Sequence, residues 1–237
     1  MQYVADLHTH TIASGHAYST IAEMVQAAQE KGLQMLGITE HAPAMEGTCD
    51  AIYFQNLKVV PRQYENLEVA FGVELNILDY QGNIDLEERH LKCLQYAIAS
   101  IHGNIYTVGS RQENTHAYLC AMENPYVRII GHPDDGRYPV DYEAIVRQAK
   151  ATGVLLEVNN TSLAPNCFRQ NARENYKKML DWCQKLEVPV VLDSDAHITY
   201  DVGNTCYTLP FLKEIGFPEE LVANTDLNKL KRMIWKS

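Results

Sequence analysis

The sequence predicts an α/β fold in which parallel strands and helices alternate along the chain and close into a barrel. Short apolar runs typical of buried strands alternate with longer segments of helical periodicity, which is the pattern of a parallel sheet. Each apolar run ends in polar residues and a loop, as in barrels that gather one site from distant parts of the chain. The unit occurs seven times, which favours seven strands over eight.

Size and composition are those of one ordinary enzyme domain, predicted to span residues 1–237. The chain is 46% hydrophobic and 21% charged. Its net charge of -10 argues against a general nucleic-acid surface, so we expect nucleic acid only as a nucleotide or short oligonucleotide substrate. Six cysteines without C-x-x-C spacing, no signal peptide and no membrane span favour a cytoplasmic protein with reduced thiols. A small symmetric homo-oligomer stays open.

The seven predicted strands are short apolar runs bounded by turn residues. They cover residues 3–5, 33–38, 69–73, 96–101, 127–131, 154–158 and 188–192. The third strand ends at Glu74, where a buried carboxylate needs a partner because an unpaired one is costly.

The predicted helices follow from apolar spacing and from capping residues. Ser19 and Thr20 offer an N-cap and Gly32 a stop for the first helix, whose apolar positions recur from Ile21 to Ala28. The next segment, 42–66, is predicted to be a long loop of the size of a substrate-facing insertion. Further helices are predicted at 52–57, 87–95, 114–122, 142–152 and 173–186, with short C-terminal ones near 208–215 and 227–235.

A motif of Asp6-Leu7-His8-Thr9-His10 directly follows the first strand. Because side chains alternate along an extended chain, His8 and His10 point to one face and form a metal clamp. His16 lies six residues further on in a Ser/Gly loop and can fold back over the same mouth.

Metal-ligating side chains gather at the predicted carboxyl ends of the strands. Seven of the nine histidines lie at such ends or just beyond, whereas His90 and His116 fall on helices or outer loops. Imidazole and carboxylate without thiolate suit zinc, manganese or iron. Nine ligands are too many for one ion and suit three divalent ions if Glu74 bridges two of them. The set is His8, His10, His16, His41, Glu74, His102, His132, Asp195 and His197.

Clustered cations at a barrel mouth suit the hydrolysis of a small anionic phosphorylated substrate. Two ions can share a hydroxide while others hold phosphoryl oxygens, and a metal or a protonated histidine neutralises the leaving oxygen. Water bound between cations loses its proton near neutral pH, so no Ser or Cys nucleophile is needed. The residues expected to be catalytic are His8, His10, Glu74, Asp195 and His197.

Six motifs resemble, in order, those of the PHP (polymerase and histidinol phosphatase) superfamily, most closely its stand-alone, YcdX-type phosphatases. They are His8-Thr9-His10, Gly37-Ile38-Thr39-Glu40-His41, Gly72-Val73-Glu74, Ile101-His102, Gly131-His132-Pro133 and Ser194-Asp195-Ala196-His197. Each motif alone is weak or moderate, but six in the right order are highly specific. The resemblance runs from Met1 to the C-terminal helix.

The resemblance implies a distorted, TIM-like (β/α)7 barrel with a trinuclear site, usually zinc, with manganese or iron in relatives. It implies hydrolysis of a small phosphomonoester by attack of a metal-bridging hydroxide. One ion would be held by His8, His10, Glu74 and Asp195, a second by Glu74, His102 and His132, and a third by His16, His41 and His197. Every one of these positions carries the expected residue type.

Three alternatives stay open at this point. PHP domains attached to DNA polymerases make a phosphodiesterase or exonuclease the first, which the absence of a polymerase module and of a basic stripe disfavours. A C–N hydrolase of the amidohydrolase type also begins with His-x-His, but commonly uses a strand-end Lys or carboxylate bridge in an eight-stranded barrel. A non-catalytic metal-binding scaffold would carry the same ligands.

Residues near the ligand set carry weaker expectations. For the loop arginines a solvated surface position is expected, although one of them could clamp a phosphate: Arg62, Arg111, Arg137 and Arg169. Polar residues after the sixth strand could reach a substrate: Asn159, Asn160 and Ser162. Carboxylates beside ligands could orient imidazole N–H groups: Glu40, Asp134 and Asp193.

Overall fold

The computed structural model describes residues 3–235, in which helices surround a barrel of mainly parallel strands. The strands are β1 (Ala5–Asp6), β2 (Met35–Ile38), β3 (Gln63–Tyr64), β4 (Leu67–Phe71), β5 (Glu74–Asn76), β6 (Ala97–Ser100), β7 (Val127–Ile130), β8 (Leu155–Asn159) and β9 (Val190–Asp193). The helices are α1 (Ile21–Glu30), α2 (Ile52–Asn56), α3 (Glu88–Leu91), α4 (Arg111–Ala121), α5 (Tyr142–Thr152), α6 (Ala172–Leu186), α7 (Thr208–Ile215) and α8 (Leu227–Ile234). The predicted α/β class is confirmed.

Two sheets joined by isolated bridges make the barrel wall. The first has the order β1-β2-β4-β3, with β3 antiparallel to β4, and the second has the parallel order β5-β6-β7-β8-β9. A bridge between Thr9 and Ala196 joins the two sheets on one side, and a bridge between His41 and Glu74 joins them on the other. β4 and β5 are consecutive pieces of one segment and count as one strand of the wall, and β3 lies outside it. Seven parallel strands therefore enclose the interior. This distorted (β/α)7 barrel is the predicted fold.

The third predicted strand is wrong in one respect, because the chain changes sheets at its end. The sequence predicts one strand over 69–73 closing at Glu74, whereas β4 ends at Phe71 and Glu74 begins β5. Gly72 lies at the break, where a Cβ would come within 3.0 Å of both Tyr96 Cζ and Thr39 Cγ2. The break transfers the chain to the second sheet and leaves Glu74 at the junction between the two.

Helix boundaries follow capping residues. The Thr20 hydroxyl accepts from the Glu23 backbone N–H and the Glu23 carboxylate accepts from that of Thr20, which starts α1 as predicted. The same box at Ser110 and Glu113 starts α4 at Arg111, upstream of its predicted start. Within residues 3–235, each helix falls short of the length or the apolar content that a membrane span requires.

Apolar side chains fill the end of the barrel opposite the carboxyl ends of its strands. These side chains form an inner cluster, which includes Leu230 and Ile234 of α8 and closes this end of the barrel. A second, larger cluster lies outside the barrel and packs the outer helices against the strands. The members of the inner cluster that come from the strand segments are Val4, Ala5, Leu7, Met35, Ala70, Tyr96, Ile98, Ile129, Leu155 and Val191. Towards the carboxyl ends buried polar residues such as Glu157 replace apolar ones, and the candidate site lies there.

Candidate metal centre

The nine predicted ligand residues converge on the mouth of the barrel at the carboxyl ends of the strands. Each comes from a strand end or the loop beyond it: β1 (His8, His10, His16), β2 (His41), β5 (Glu74), β6 (His102), β7 (His132) and β9 (Asp195, His197). The remaining histidines, His90 and His116, lie on α3 and α4. The topology thus brings together residues as far apart in sequence as His8 and His197.

Glu74 is the centre of this cluster. Its Oε2 faces three imidazole nitrogens: His8 Nε2 at 3.3 Å, His10 Nε2 at 3.4 Å and His41 Nδ1 at 2.8 Å. Its Oε1 faces two others: His132 Nε2 at 2.9 Å and His102 Nε2 at 3.3 Å. Different rings therefore face the two oxygens of one carboxylate, which is the placement a bridging ligand between two cations needs.

Asp195 supplies a second carboxylate to the same rings. Its Oδ1 lies 3.6 Å from His8 Nε2 and 3.4 Å from His10 Nε2. Both carboxylates stay ionised although they are buried. Burial alone would raise the pKa of each, but nearby imidazoles, His8 foremost, hold the pKa of Glu74 and of Asp195 well below the usual range.

Four imidazoles pack against one another beside Glu74. His41 Nε2 lies 3.2 Å from His16 Nε2, and the ring centroids of His10 and His197 are 4.4 Å apart. Burial, together with repulsion from His41 and His197, holds the pKa of His10 well below its ordinary value. The same causes lower the pKa of His16. Both rings are therefore neutral near pH 7, which is the form that binds a metal.

Hydrogen bonds from ring N–H groups to protein acceptors orient two of the rings directly. His8 Nδ1 lies 2.7 Å from Glu157 Oε1, and His102 Nδ1 lies 2.7 Å from Asn76 Oδ1. An imidazole that donates from Nδ1 has Nε2 left to bind a metal once that nitrogen is deprotonated. In both rings the Nε2 atom is the one that faces Glu74.

Two further rings are oriented in the same way. The Ser14 hydroxyl donates to Glu40 at 2.6 Å and so accepts from His10 Nδ1 at 3.0 Å. His197 Nδ1 donates to the backbone carbonyl of Asp195 at 2.9 Å. Four Nε2 atoms are thus directed into the site, and Glu40 orients His10 through the Ser14 hydroxyl.

Four buried polar atoms at the centre of the cluster have no hydrogen-bond partner among residues 3–235: His8 Nε2, His10 Nε2, His41 Nδ1 and Glu74 Oε2. Unsatisfied buried polar atoms are rare because each costs free energy. Three sets of side chains each bring their ligand atoms within 4.8 Å of one another: His8, His10 and Glu74; His41, Glu74 and His102; and His10, His41 and His197. Convergent imidazole and carboxylate donors without thiolate fit divalent metal ions such as zinc.

Backbone conformation marks two of the ligand positions as well. His132 has φ +29° and Asp195 has φ +57°, in the left-handed region of backbone conformations that residues other than glycine seldom adopt. Such conformations cost on the order of 1–3 kcal/mol each and cluster at functional sites.

The sequence analysis did not single out Glu157, which is fully buried in β8. Besides its contact with His8, it accepts from the His132 backbone N–H at 2.6 Å through Oε2. One carboxylate thus supports ligand residues from two strands. The signal was present, because Glu157 interrupts the apolar run 154–158, and the argument that selected Glu74 applies to it equally.

The expectation for Arg169 is wrong, because its side chain is only 7% exposed rather than solvated. Its Nη2 donates to Asp195 Oδ2 at 3.2 Å, and its Nη1 donates to Ser162 Oγ at 2.9 Å and Asn159 Oδ1 at 3.3 Å. Asn159 and Ser162 therefore fix this guanidinium next to a ligand residue. Arg62 and Arg111, by contrast, are exposed as expected.

Of the other flanking carboxylates, neither Asp134 nor Asp193 forms a hydrogen bond or ion pair with a ligand imidazole among residues 3–235. Asp134 accepts from the Ser162 hydroxyl at 3.0 Å, and Asp193 accepts from the Leu7 backbone N–H at 2.7 Å. Both hold loops and strands in place beneath the site.

A cavity of about 780 Å³ opens above the cluster. Ligand residues form its base, among them Glu74, His102 and Asp195, and loop residues such as Val108 and Phe168 form its sides. This is the size of a small-molecule site.

The chain matches the family model of the PHP domain over residues 6–187. It belongs to the PHP family. A probable phosphatase of Clostridium botulinum strain Langeland is 42% identical over 230 residues, which cover 97% of this chain and 93% of the relative. One of Thermoanaerobacter sp. strain X514 is 43% identical over 235 residues, covering 99% and 95%. These relatives confirm the predicted family and enzyme class, a PHP phosphatase.

Solved structures of PHP proteins share the fold. Histidinol phosphate phosphatase of Lactococcus lactis, solved with zinc, L-histidinol and phosphate, aligns with a TM-score of 0.65 at 18% identity, over 92% of this chain and 95% of that one. The putative histidinol phosphatase of Listeria monocytogenes aligns with a TM-score of 0.63 at 20% identity, over 84% and 97%. At such identities the likeness supports the barrel fold of this PHP protein and no finer property.

Proposed function

We propose that this protein is a metal-dependent phosphatase that hydrolyses a small phosphomonoester. The observation that carries the proposal is the group of buried atoms without a hydrogen-bond partner around Glu74, on which imidazole nitrogens converge from several strands. Such an arrangement is costly without cations, and phosphoester hydrolysis is chemistry that clustered cations serve well.

For the metal ions we propose three, assigned as the family resemblance implies. His8, His10, Glu74 and Asp195 would hold one, and Glu74, His102 and His132 a second. The third would be held by His16, His41 and His197. Support comes from the two oxygens of Glu74, which face different rings, and from the close packing of the third group. Zinc is the proposed metal, with manganese or iron as substitutes, and the zinc in the Lactococcus lactis structure agrees with this choice.

The chain's own residues then divide the work. Bound divalent cations supply Lewis acidity and lower the pKa of water. His8, His10, Glu74, Asp195 and His197 are proposed to be the catalytic set, since they surround the centre of the cluster. Arg169, held by Asp195, adds positive charge beside it and would favour an anionic phosphoryl group at the base of the cavity.

We further propose that residues 1–237 act as one catalytic unit in the cytoplasm. The inner cluster supports the first point, because it joins α8 near the C-terminus to β1. The second is supported by six cysteines that are all unpaired.

Comparison of ester classes tests the proposal. Zinc-loaded protein is expected to hydrolyse p-nitrophenyl phosphate and natural phosphomonoesters, and to act at least about tenfold more slowly on bis-p-nitrophenyl phosphate. A preference for the diester would favour the phosphodiesterase alternative. Fully loaded protein that turns over neither ester would leave the scaffold and C–N hydrolase alternatives.

A further inference from the structure

Four planar side chains stack in succession along one wall of the cavity. Arg137 Cζ lies 5.5 Å from the Tyr138 ring centroid and 5.0 Å from that of Phe168. Arg169 Cζ lies 5.4 Å from the same Phe168 centroid. All four side chains line the cavity above the candidate metal centre. We call Tyr138, Arg137, Phe168 and Arg169 the stacking wall.

Phe168 presents a large apolar surface within this polar site. It is 68% exposed, and Val108, which also lines the cavity, is 52% exposed. Exposed apolar side chains that gather in a concave site mark a surface for a ligand. A charged phosphate gains nothing from contact with an apolar surface. This surface would therefore contact the organic part of the substrate.

The cations of the stacking wall already have carboxylate partners. Arg137 donates to Asp135 from Nε at 2.9 Å and from Nη2 at 2.5 Å, and Arg169 donates to Asp195. Because its charge is compensated by Asp135, Arg137 offers a ligand mainly planar surface. Aromatic rings and guanidinium planes both stack on other planar rings.

On the basis of the proposed phosphatase function, we propose that the substrate's leaving group carries a planar aromatic ring that lies against Phe168 in the stacking wall. A nucleoside is a leaving group of this class. The cavity, at about 780 Å³, has room for such a group beside the phosphate.

Adenosine 5′-monophosphate and ribose 5-phosphate provide a matched pair of probes, because both release a ribose 5′-oxygen and only the first carries an aromatic ring. With zinc-loaded protein we expect kcat/KM to be about 5- to 150-fold higher for the nucleotide, the range that one base–aromatic stack of ~1–3 kcal/mol gives. Phe168→Ala should lower the value for the nucleotide by a similar factor and change that for ribose 5-phosphate less than about twofold.

Phe168→Tyr is the matched control, because it keeps the ring and should keep the preference. A wild-type ratio near one, or equal losses on both probes in Phe168→Ala, would overturn the inference while leaving the phosphatase proposal standing. If wild-type protein turned over neither probe nor p-nitrophenyl phosphate, both proposals would fall. Thermal unfolding checks that Phe168→Ala is folded, as the exposure of this side chain leads us to expect.

Discussion

Glu157 Oε1 lies 2.7 Å from His8 Nδ1 in the fully buried interior of the barrel. The contact determines which nitrogen of His8 faces the mouth, because the ring donates to Glu157 and presents Nε2 to Glu74 and Asp195. Burial would lower the pKa of His8, but the negative charges of Glu157, Glu74 and Asp195 raise it well above the ordinary value. The orientation of a candidate ligand thus depends on a residue outside the ligand set.

Glu157→Gln should weaken zinc binding and activity by about 10- to 100-fold, the usual effect of losing a partner that orients a metal ligand. A neutral amide makes His8 a weaker base. It also places an amide N–H group opposite one of the two N–H donors that Glu157 accepts from, His8 Nδ1 or the His132 backbone. Competition against a chromophoric chelator measures the affinity. Glu143→Gln is the control, since Glu143 lies on α5 in an exposed pair with Arg147. Equal zinc affinity in the two variants would contradict the role given to Glu157.

Glu74→Gln should lower kcat by at least about 100-fold, because several kcal/mol of charge stabilisation around clustered cations is lost. The amount of zinc bound per chain should fall as well, since the proposed bridge between two ions is gone. Metal analysis and p-nitrophenyl phosphate turnover on the same sample check both effects. Glu30→Gln, at an exposed position of α1, should change neither. Full zinc content in Glu74→Gln would contradict the bridging role.

In the metal-free protein, His10 should make stability fall as the pH drops below 6.5. The pKa of His10 is well below 6.5 in the folded protein, so only the unfolded chain takes up this proton between the two values. The free energy of unfolding then falls with decreasing pH by up to ~1.4 kcal/mol per pH unit. Urea unfolding of chelator-treated protein between pH 6.5 and 5 should show a smaller slope for His10→Asn. Because His10 also helps to lower the pKa of Asp195, the comparison measures His10 together with this effect, and identical slopes would refute the assignment.

Gly37→Ala should lower the free energy of unfolding by about 3 kcal/mol, the upper part of the usual range for overpacking. Its Cβ would meet the Tyr96 hydroxyl and come within 2.7 Å of the Leu7 carbonyl oxygen, the two groups joined by a 2.5 Å hydrogen bond. Gly153→Ala is the reference, because nothing lies within 4 Å of its Cβ and only its φ of +75° opposes the change, at roughly 1–2 kcal/mol. A smaller loss in Gly37→Ala than in Gly153→Ala, measured by denaturant unfolding, would show that the interior yields easily.

The positions of the ligand residues could be predicted because they depend on local rules. An apolar run identifies a strand, its end is visible in the sequence, and parallel strands bring their carboxyl ends to one edge. His41 and His132 were found in this way, far from the His8 motif in sequence. The histidines on α3 and α4 were separated from the site by the same argument.

The residues that support the ligands could not be found by such rules, because their roles depend on contacts through space. Glu157 and His8 are 149 residues apart, and no spacing in the sequence relates them. Arg169 has the same local context as an exposed loop arginine, and only the fold places Asp195 beside it. The change of sheet at Gly72 was missed for a related reason, since the run of apolar residues continues through the break.

Titration of metal-free protein with zinc, with bound zinc and p-nitrophenyl phosphate turnover followed on the same sample, tests the central claim most directly. The account predicts that activity rises as the sites fill, reaches its maximum near three zinc ions per chain, and is lost in Asp195→Ala. Protein that binds zinc to saturation, or manganese in its place, and hydrolyses neither phosphomonoesters nor phosphodiesters would contradict it.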